Sequence, residues 1–193
     1  MFVTDDMIAQ MVREYGVPAV REFNFPAIPT EMARIRSSQK DGRNHDVTLY
    51  IEKGDRLFVI AKHPYPPGLY RTPSGGIHPG ESIIDGINRE ALEETGCTIE
   101  LNSFFLRTSV IFRSTENPAD TIFWRSFVFR ATYLSGDMNY TDHDEISDLR
   151  LADWSEFPCF GQIMRQTDSA GLHYRAALHE AVAALLGRRK HFT

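Results

Sequence analysis

Residues 75–97 read GGIHPGESIIDGINREALEETGC and form the most informative stretch of the sequence. A glycine-rich turn opens the stretch, and the residues after it predict a helix from about Ser82 to Thr95. Ser82 is a favourable N-cap with Asp85 three positions later, and Gly96 stands where helices commonly end in glycine. The stretch therefore predicts a turn followed by one well-delimited helix.

The predicted helix carries three glutamates on one side. Glu90, Glu93 and Glu94 are spaced i,i+3 and i,i+4, so their carboxylates are neighbours that repel one another. They also lie near the C-terminal end, where negative charge is unfavourable. A hard divalent cation such as Mg²⁺ would offset this repulsion, and a glycine turn lets the backbone come close to an ion or a phosphate. Taken alone, the three glutamates are also compatible with a solvated acidic helix face.

The spacing of the whole stretch is more specific than the three glutamates. It resembles the Nudix box, G-x5-E-x7-R-E-U-x-E-E-x-G-U, in which U is an apolar residue. The fixed positions are all matched, by Gly75, Glu81, Arg89, Glu90, Glu93, Glu94 and Gly96. From composition, such a match is expected by chance on the order of 10⁻⁶ times per chain. Two departures stand nearby: Ser74 precedes the first fixed glycine where the family often has glycine, and His78 stands where an acid is common.

The resemblance to the Nudix family implies an α+β fold, an α/β/α sandwich in which a mixed β-sheet lies between helices. It also implies a bound Mg²⁺ or Mn²⁺ ion. The metal ligands that it implies are Glu90, Glu93, Glu94, the carbonyl group of Gly75 and, directly or through water, Glu81. Arg89 would pair with a carboxylate of the motif, for which we expect Glu93, and orient it.

The implied reaction is hydrolysis of the diphosphate bond in a small molecule, a nucleoside-diphosphate-linked or related compound. Glu90 is one candidate general base. The acidic residues 142–145 offer another, Glu145, although a solvated turn is the simpler interpretation of that stretch. The candidate substrate contacts are Lys62, Arg71 and Tyr70. Lys62 and Arg71 are equally compatible with being surface charges, and packing is the more common role for an aromatic such as Tyr70.

Other functions fit the sequence less well. A Nudix-fold regulatory module that binds a nucleotide without cleaving it is the main alternative, but a pure binder does not need three adjacent glutamates. An isomerase of the same fold has no specific support. The spacing of Gly75 and Gly80 resembles a P-loop, yet Glu81 stands where the lysine belongs, and His179-Glu180 lacks the second histidine of a zincin.

The remaining sequence predicts an arm and a domain. Residues 1–43 are expected to be an N-terminal arm that packs on the core or on a second subunit, and a homodimer is compatible with this; residues 44–193 would form the Nudix hydrolase domain.

A short helix is predicted at residues 5–15. Regular structure is expected to be interrupted after it by Pro18, Pro26 and Pro29. Further predicted elements are a hairpin of residues 47–51 and 57–60, strands at 103–113 and 121–133, a short helix capped by Asp153, and a helix at 172–186.

Composition excludes several classes of protein. The chain has 193 residues and a formal net charge of −5, so it lacks the broad cationic field of most non-specific nucleic-acid binders, and no nucleic acid is expected as a partner. Two cysteines provide neither a disulfide framework nor zinc-site spacing. No apolar run approaches the roughly 18 residues of a membrane span, and no signal pattern is present, so we expect a cytoplasmic protein.

Overall fold

The computed structural model describes residues 3–39 and 42–187. Its helices are α1 (Asp5–Tyr15), α2 (Pro29–Ser38), α3 (Ile83–Thr95), α4 (Phe157–Arg165) and α5 (Ala170–Leu185), with a 3-10 turn at Trp154–Glu156. Its strands are β1 (Ala19–Ala27), β2 (His45–Lys53), β3 (Arg56–Lys62), β4 (Ser74–Gly75), β5 (Cys97–Ser114), β6 (Thr121–Gly136) and β7 (Ile146–Ala152). None of the helices in these ranges combines the length and the apolar character that crossing a bilayer would require.

The strands form one mixed sheet in the order β1-β5-β6-β2-β3-β7, with β4 paired to β2. The β1/β5 and β2/β6 pairs are parallel, and the β5/β6, β2/β3 and β3/β7 pairs are antiparallel. The β2–β3 hairpin turns at Gly54, whose φ of 62° favours glycine. This arrangement confirms the predicted hairpin and the predicted mixed sheet.

Strand side chains alternate in direction, so each face of the sheet presents apolar residues. Helices cover both of these faces. On β2, Tyr50 points into a core shared with α2, α4 and α5, whereas Leu49 and Ile51 point into a second core shared with α1 and α3. All three of these side chains are fully buried. The result is the predicted α/β/α sandwich, and α3 alone carries the acidic motif.

The N-terminal region is more regular than predicted. The helix at Asp5–Tyr15 is confirmed and Pro18 lies in the break between α1 and β1 as expected, but the expectation that Pro26 and Pro29 interrupt regular structure is wrong. Pro26 lies in β1, an edge strand, where the missing amide is tolerated, and Pro29 occupies the first turn of α2, where no amide is required. The boundary between arm and domain and the contact with a second subunit stay predictions.

The later elements agree with expectation within a few residues. The predicted strands are extended to Cys97–Ser114 and Thr121–Gly136, and the last helix spans Ala170–Leu185. Asp153 and Glu156 form the capping box expected for the short turn after β7. The basic run at residues 188–190 follows this helix in the sequence, where positive charge would suit a helix C-terminus, and it lies outside the described residues.

The glycine turn is held between two strands of the sheet. β2 and β3 pair only near their hairpin, at Glu52 and Lys53, and then diverge. Residues 71–75 fill the opening: Arg71 pairs with Ile60 of β3, and Ser74 pairs with Thr48 of β2. The backbone before the acidic helix is therefore fixed from both sides.

Candidate active site

Helix α3 has one buried side, which is apolar near its start and carries Glu90 and Glu94 further along, where the helix meets the glycine turn. Ile83, Ile87 and Ala91 are buried in the core that α3 shares with α1. The Ser82 hydroxyl accepts a hydrogen bond from the Asp85 amide at 3.0 Å, which begins the helix as predicted. Gly96 ends it in the left-handed conformation, with φ of 67°.

Arg89 joins three carboxylates. Its Nε and Nη2 atoms donate to the two oxygens of Glu81 at 2.9 and 3.0 Å, and Nη1 donates to Glu90 and Glu93, each at 2.9 Å. Nη2 also donates to the carbonyl of Gly76 at 2.7 Å. The predicted partner Glu93 is present, and two further carboxylates share the guanidinium. The hydrogen bonds from Arg89 lower the pKa of Glu81.

Glu90 lies directly against the backbone of the glycine turn. A Cβ atom at Gly75 would overlap its carboxylate, so only glycine permits this approach. Glu90 is 9% exposed, and burial raises its pKa to about 7 against the opposing effect of Arg89. The negative charges of Glu94 and Glu93 also raise the pKa of Glu90.

Glu94 is the most buried glutamate of the motif, at 3% exposure. One of its carboxylate oxygens accepts a hydrogen bond from the Ser74 amide at 2.6 Å. The other lies 3.4 Å from Nζ of Lys62 and 3.6 Å from Nη2 of Arg71. Lys62 also pairs with Glu145, which brings the predicted second general base to the same place.

The donor set fits a hard divalent cation. Glu90, Glu93, Glu94 and the Gly75 carbonyl offer only oxygen atoms, which Mg²⁺ and Mn²⁺ prefer. The space that a Gly75 side chain would fill is taken by a carboxylate, which keeps a ligand group beside the turn. Within residues 3–39 and 42–187, no three acidic, histidine or cysteine side chains converge closely enough to define a metal site. At the glutamates of the box, Arg89 pairs with Glu90, and Lys62 and Arg71 lie 3.4 and 3.6 Å from Glu94.

A cleft of about 860 Å³ opens beside these charges. Two of the predicted substrate contacts, Lys62 and Arg71, line it together with Glu145. The third, Tyr70, is outside this lining: its hydroxyl donates to Asp148 and its ring lies on Phe160. Its predicted contact with substrate stays a prediction.

Two walls of the cleft come from elements that sequence reasoning did not connect with the site. Helix α2 contributes Glu31 and Arg34, and the start of α5 contributes Arg175. No local pattern marks these residues, because their role depends on which helices cover which end of the sheet. Tertiary structure alone brings them together.

Comparison with known proteins identifies the family to which the chain belongs. A family model for the NUDIX domain matches residues 42–170. The chain therefore belongs to the Nudix family, which confirms the resemblance stated from the sequence. A solved structure described as "NUDIX hydrolase from Nitrosomonas europaea" is similar with a TM-score of 0.51 at 23% identity, covering 72% of this chain and 89% of that one. This second likeness shows the fold.

Curated relatives are similar over part of their length. The chain is 29% identical over 113 residues to the NAD-capped RNA hydrolase NudC of Photobacterium profundum, a match covering 58% of this chain and 38% of that protein. It is 35% identical over 51 residues to the protein of the same name from Stutzerimonas stutzeri, covering 26% and 18%. The chain thus matches less than half the length of each relative.

Proposed function

We propose that this protein is a Mg²⁺- or Mn²⁺-dependent pyrophosphohydrolase that cleaves the diphosphate bond of nucleoside-diphosphate-linked or related small molecules. One observation carries the proposal. The buried carboxylates Glu90 and Glu94 lie beside a glycine turn, and the cations next to Glu94 line a cleft large enough for such a substrate. A cleft of this size is typical of small-molecule sites.

The ion would be held by Glu90, Glu93 and Glu94, with the Gly75 carbonyl and Glu81 in support. The chemistry that such an ion supplies, when bound, is to offset phosphate charge and to make water more acidic. Arg89 keeps the glutamates oriented by holding three of the motif's carboxylates at once.

Lys62 and Arg71 lie between Glu94 and the cleft, where they would bind the two phosphates. Water attacks one phosphorus, the bridging oxygen leaves with the other phosphate, and one proton is released. A carboxylate must accept that proton. Glu90, with its raised pKa, and Glu145, at the edge of the cleft, are the two candidates.

The test is a screen of nucleoside-diphosphate sugars, dinucleotides and nucleoside triphosphates with Mg²⁺ and Mn²⁺, in which an added phosphatase releases phosphate from the products. NAD⁺ belongs in the screen because the relatives named above are NAD-capped RNA hydrolases. Metal-dependent release from a diphosphate compound supports the proposal. Tight nucleotide binding without release would instead establish the regulatory module.

Substituted proteins test the ligand assignment. Glu93→Gln and Glu94→Gln keep the side-chain shape but remove the charge, and each is expected to lower turnover by about 100-fold or more while circular dichroism stays parental. Glu180→Gln is the matched control because it removes a half-exposed partner of Arg165 on α5, outside the cleft. Parental turnover in both box variants would contradict the assignment.

A further inference from the structure

Ser74, which precedes the first fixed glycine of the box, is engaged through its amide and its hydroxyl. Its amide donates to Glu94 at 2.6 Å. Its hydroxyl oxygen accepts from Nη1 of Arg71 at 2.7 Å and from Nη2 of Arg175 at 2.9 Å. The residue is buried, with 6% of its surface exposed. A glycine in this position could keep the first contact but not the other two.

Arg175 reaches Ser74 from helix α5. It lies on α5, five positions after the end of the family match at residue 170, and lines the cleft. Its guanidinium also donates to the Thr48 hydroxyl at 2.8 Å and pairs with Asp46. Both charged side chains are largely buried, at 15% and 7% exposure. The fork of the guanidinium is what allows one side chain to reach three acceptors.

The hydroxyl of Ser74 also helps to hold Arg71 in place. Nη1 of Arg71 is held at 2.7 Å on that hydroxyl, while Nη2 stays 3.6 Å from the nearer Glu94 oxygen. Nη1 also donates to the Thr72 carbonyl at 2.8 Å, and Nε donates to the Tyr65 hydroxyl at 3.0 Å. Without the hydroxyl, Arg71 would gain by pairing more closely with Glu94, and it would then compete with a metal ion for the same carboxylate.

We propose that Ser74 and Arg175, together with Asp46 and Thr48, form a brace that positions Glu94 for the metal ion and keeps Arg71 from pairing more closely with it. The inference rests on the proposed function, since it assigns these residues to that same metal site. Ser74 and Arg175 are positioning residues in this arrangement, because they act through Glu94. The brace makes a C-terminal helix outside the family match part of the metal site.

The experiment measures Mn²⁺ binding directly, by isothermal titration calorimetry of the full chain. The informative variants are Ser74→Ala and Arg175→Gln. Each is expected to weaken Mn²⁺ binding by about 10- to 100-fold, the usual effect of removing a group that orients a metal ligand. Ser74→Thr retains the hydroxyl on a strand residue and should bind within about twofold of the parent. Arg165→Gln, which loses a half-exposed ion pair between α4 and α5, should bind as the parent does.

A double variant separates the brace from two independent structural effects. If Ser74 and Arg175 act through one set of contacts, Ser74→Ala/Arg175→Gln will weaken Mn²⁺ binding no more than the stronger single variant does. Thermal unfolding without metal identifies a variant that fails to fold. If one single variant fails, the Mn²⁺ affinity of the other single variant tests the proposal. A merely structural role would lower the melting temperature without changing Mn²⁺ affinity.

The outcomes distinguish this inference from the proposed function. Parental Mn²⁺ binding in Ser74→Ala and Arg175→Gln, or strictly additive losses in the double variant, would overturn the brace and leave the metal-dependent hydrolase standing. Absence of Mn²⁺ binding in the parent chain would overturn both.

Discussion

Arg89 gathers several charged partners around the site. It holds Glu81, Glu90 and Glu93 within 3.0 Å, and its own side chain is only 22% exposed. One planar guanidinium thus separates like charges that helix spacing brings together. The sequence predicted one of these contacts, because i,i+4 spacing is local. It did not single out the contact with Glu81, which depends on how the glycine turn folds back on the helix.

Replacing Arg89 with alanine is expected to lower the free energy of unfolding by about 1.5–3 kcal/mol, because several charge-assisted hydrogen bonds are lost together. Turnover should also fall, since Glu93 would lose the group that orients it. Urea unfolding and steady-state rates measure the two effects. The control is Arg165→Ala, whose pair with Glu180 is nearly half exposed and should be worth less than about 1 kcal/mol. Reduced stability with parental turnover would make Arg89 purely structural.

Gly75 allows the site to be tested with one methyl group. A Cβ atom there would overlap the Glu90 carboxylate, so Gly75→Ala should turn that side chain away and lower turnover by about 100-fold. Gly161→Ala on α4 is the control, because its Cβ would meet only the flexible end of Arg165, at 3.3 Å, and an ordinary contact with Ala176. The test compares the steady-state rates of the two variants, and equal rates would remove Glu90 from the metal site.

Among the elements, α3 was the most predictable and β1 the least. The limits of α3 follow from Ser82 and Gly96, which act within one turn of the helix. The strand β1 depends on pairing with β5, whose residues lie far along the chain, and the prolines beside it conceal the pattern. An edge position in the sheet makes proline acceptable, but only the assembled sheet shows which strand is at the edge.

Helix α2 supplies a wall of the cleft, and its role can be measured separately from catalysis. Arg34 lines the cleft with its side chain 67% exposed. Arg34→Ala should raise KM for an anionic diphosphate by about two- to fivefold and leave kcat nearly unchanged, since an exposed charge attracts substrate weakly and does not touch the reacting atoms. Arg36→Ala, on the same helix but paired with Asp120 outside the cleft, should change neither constant. Equal KM values for both variants would remove α2 from the binding site.

At the level of the whole molecule, one sheet separates two cores, and the core beneath α4 and α5 contains a buried histidine. His179 lies there with its Nδ1 atom 2.6 Å from the Tyr50 hydroxyl and its ring against Phe157. Burial lowers its pKa to about 3, and the positive charges of Arg175 and Arg71 act in the same direction. The fully buried ring is therefore neutral in the folded protein at physiological pH.

This neutrality predicts sensitivity to acid. In the unfolded chain the pKa of a histidine is about 6.5, so below that pH the unfolded state binds a proton that the folded state does not until about pH 3. The free energy of unfolding should therefore fall as pH decreases through this window. Between pH 7 and pH 5 the parent should lose about 2 kcal/mol more than His179→Gln, measured by urea unfolding at both values. Equal losses in the two proteins would contradict this account.

The position of β1 has a practical consequence for anyone who shortens this chain. A fragment cut to residues 42–170 would contain the whole family match and every glutamate of the box. It would lack β1, the parallel neighbour of residues 106–114 of β5. The backbone amide and carbonyl groups on that side of β5 would then be unpaired. Such an unpaired edge invites strands of other molecules, so the trimmed protein is expected to aggregate, in addition to losing Arg175 and helix α2 from the cleft.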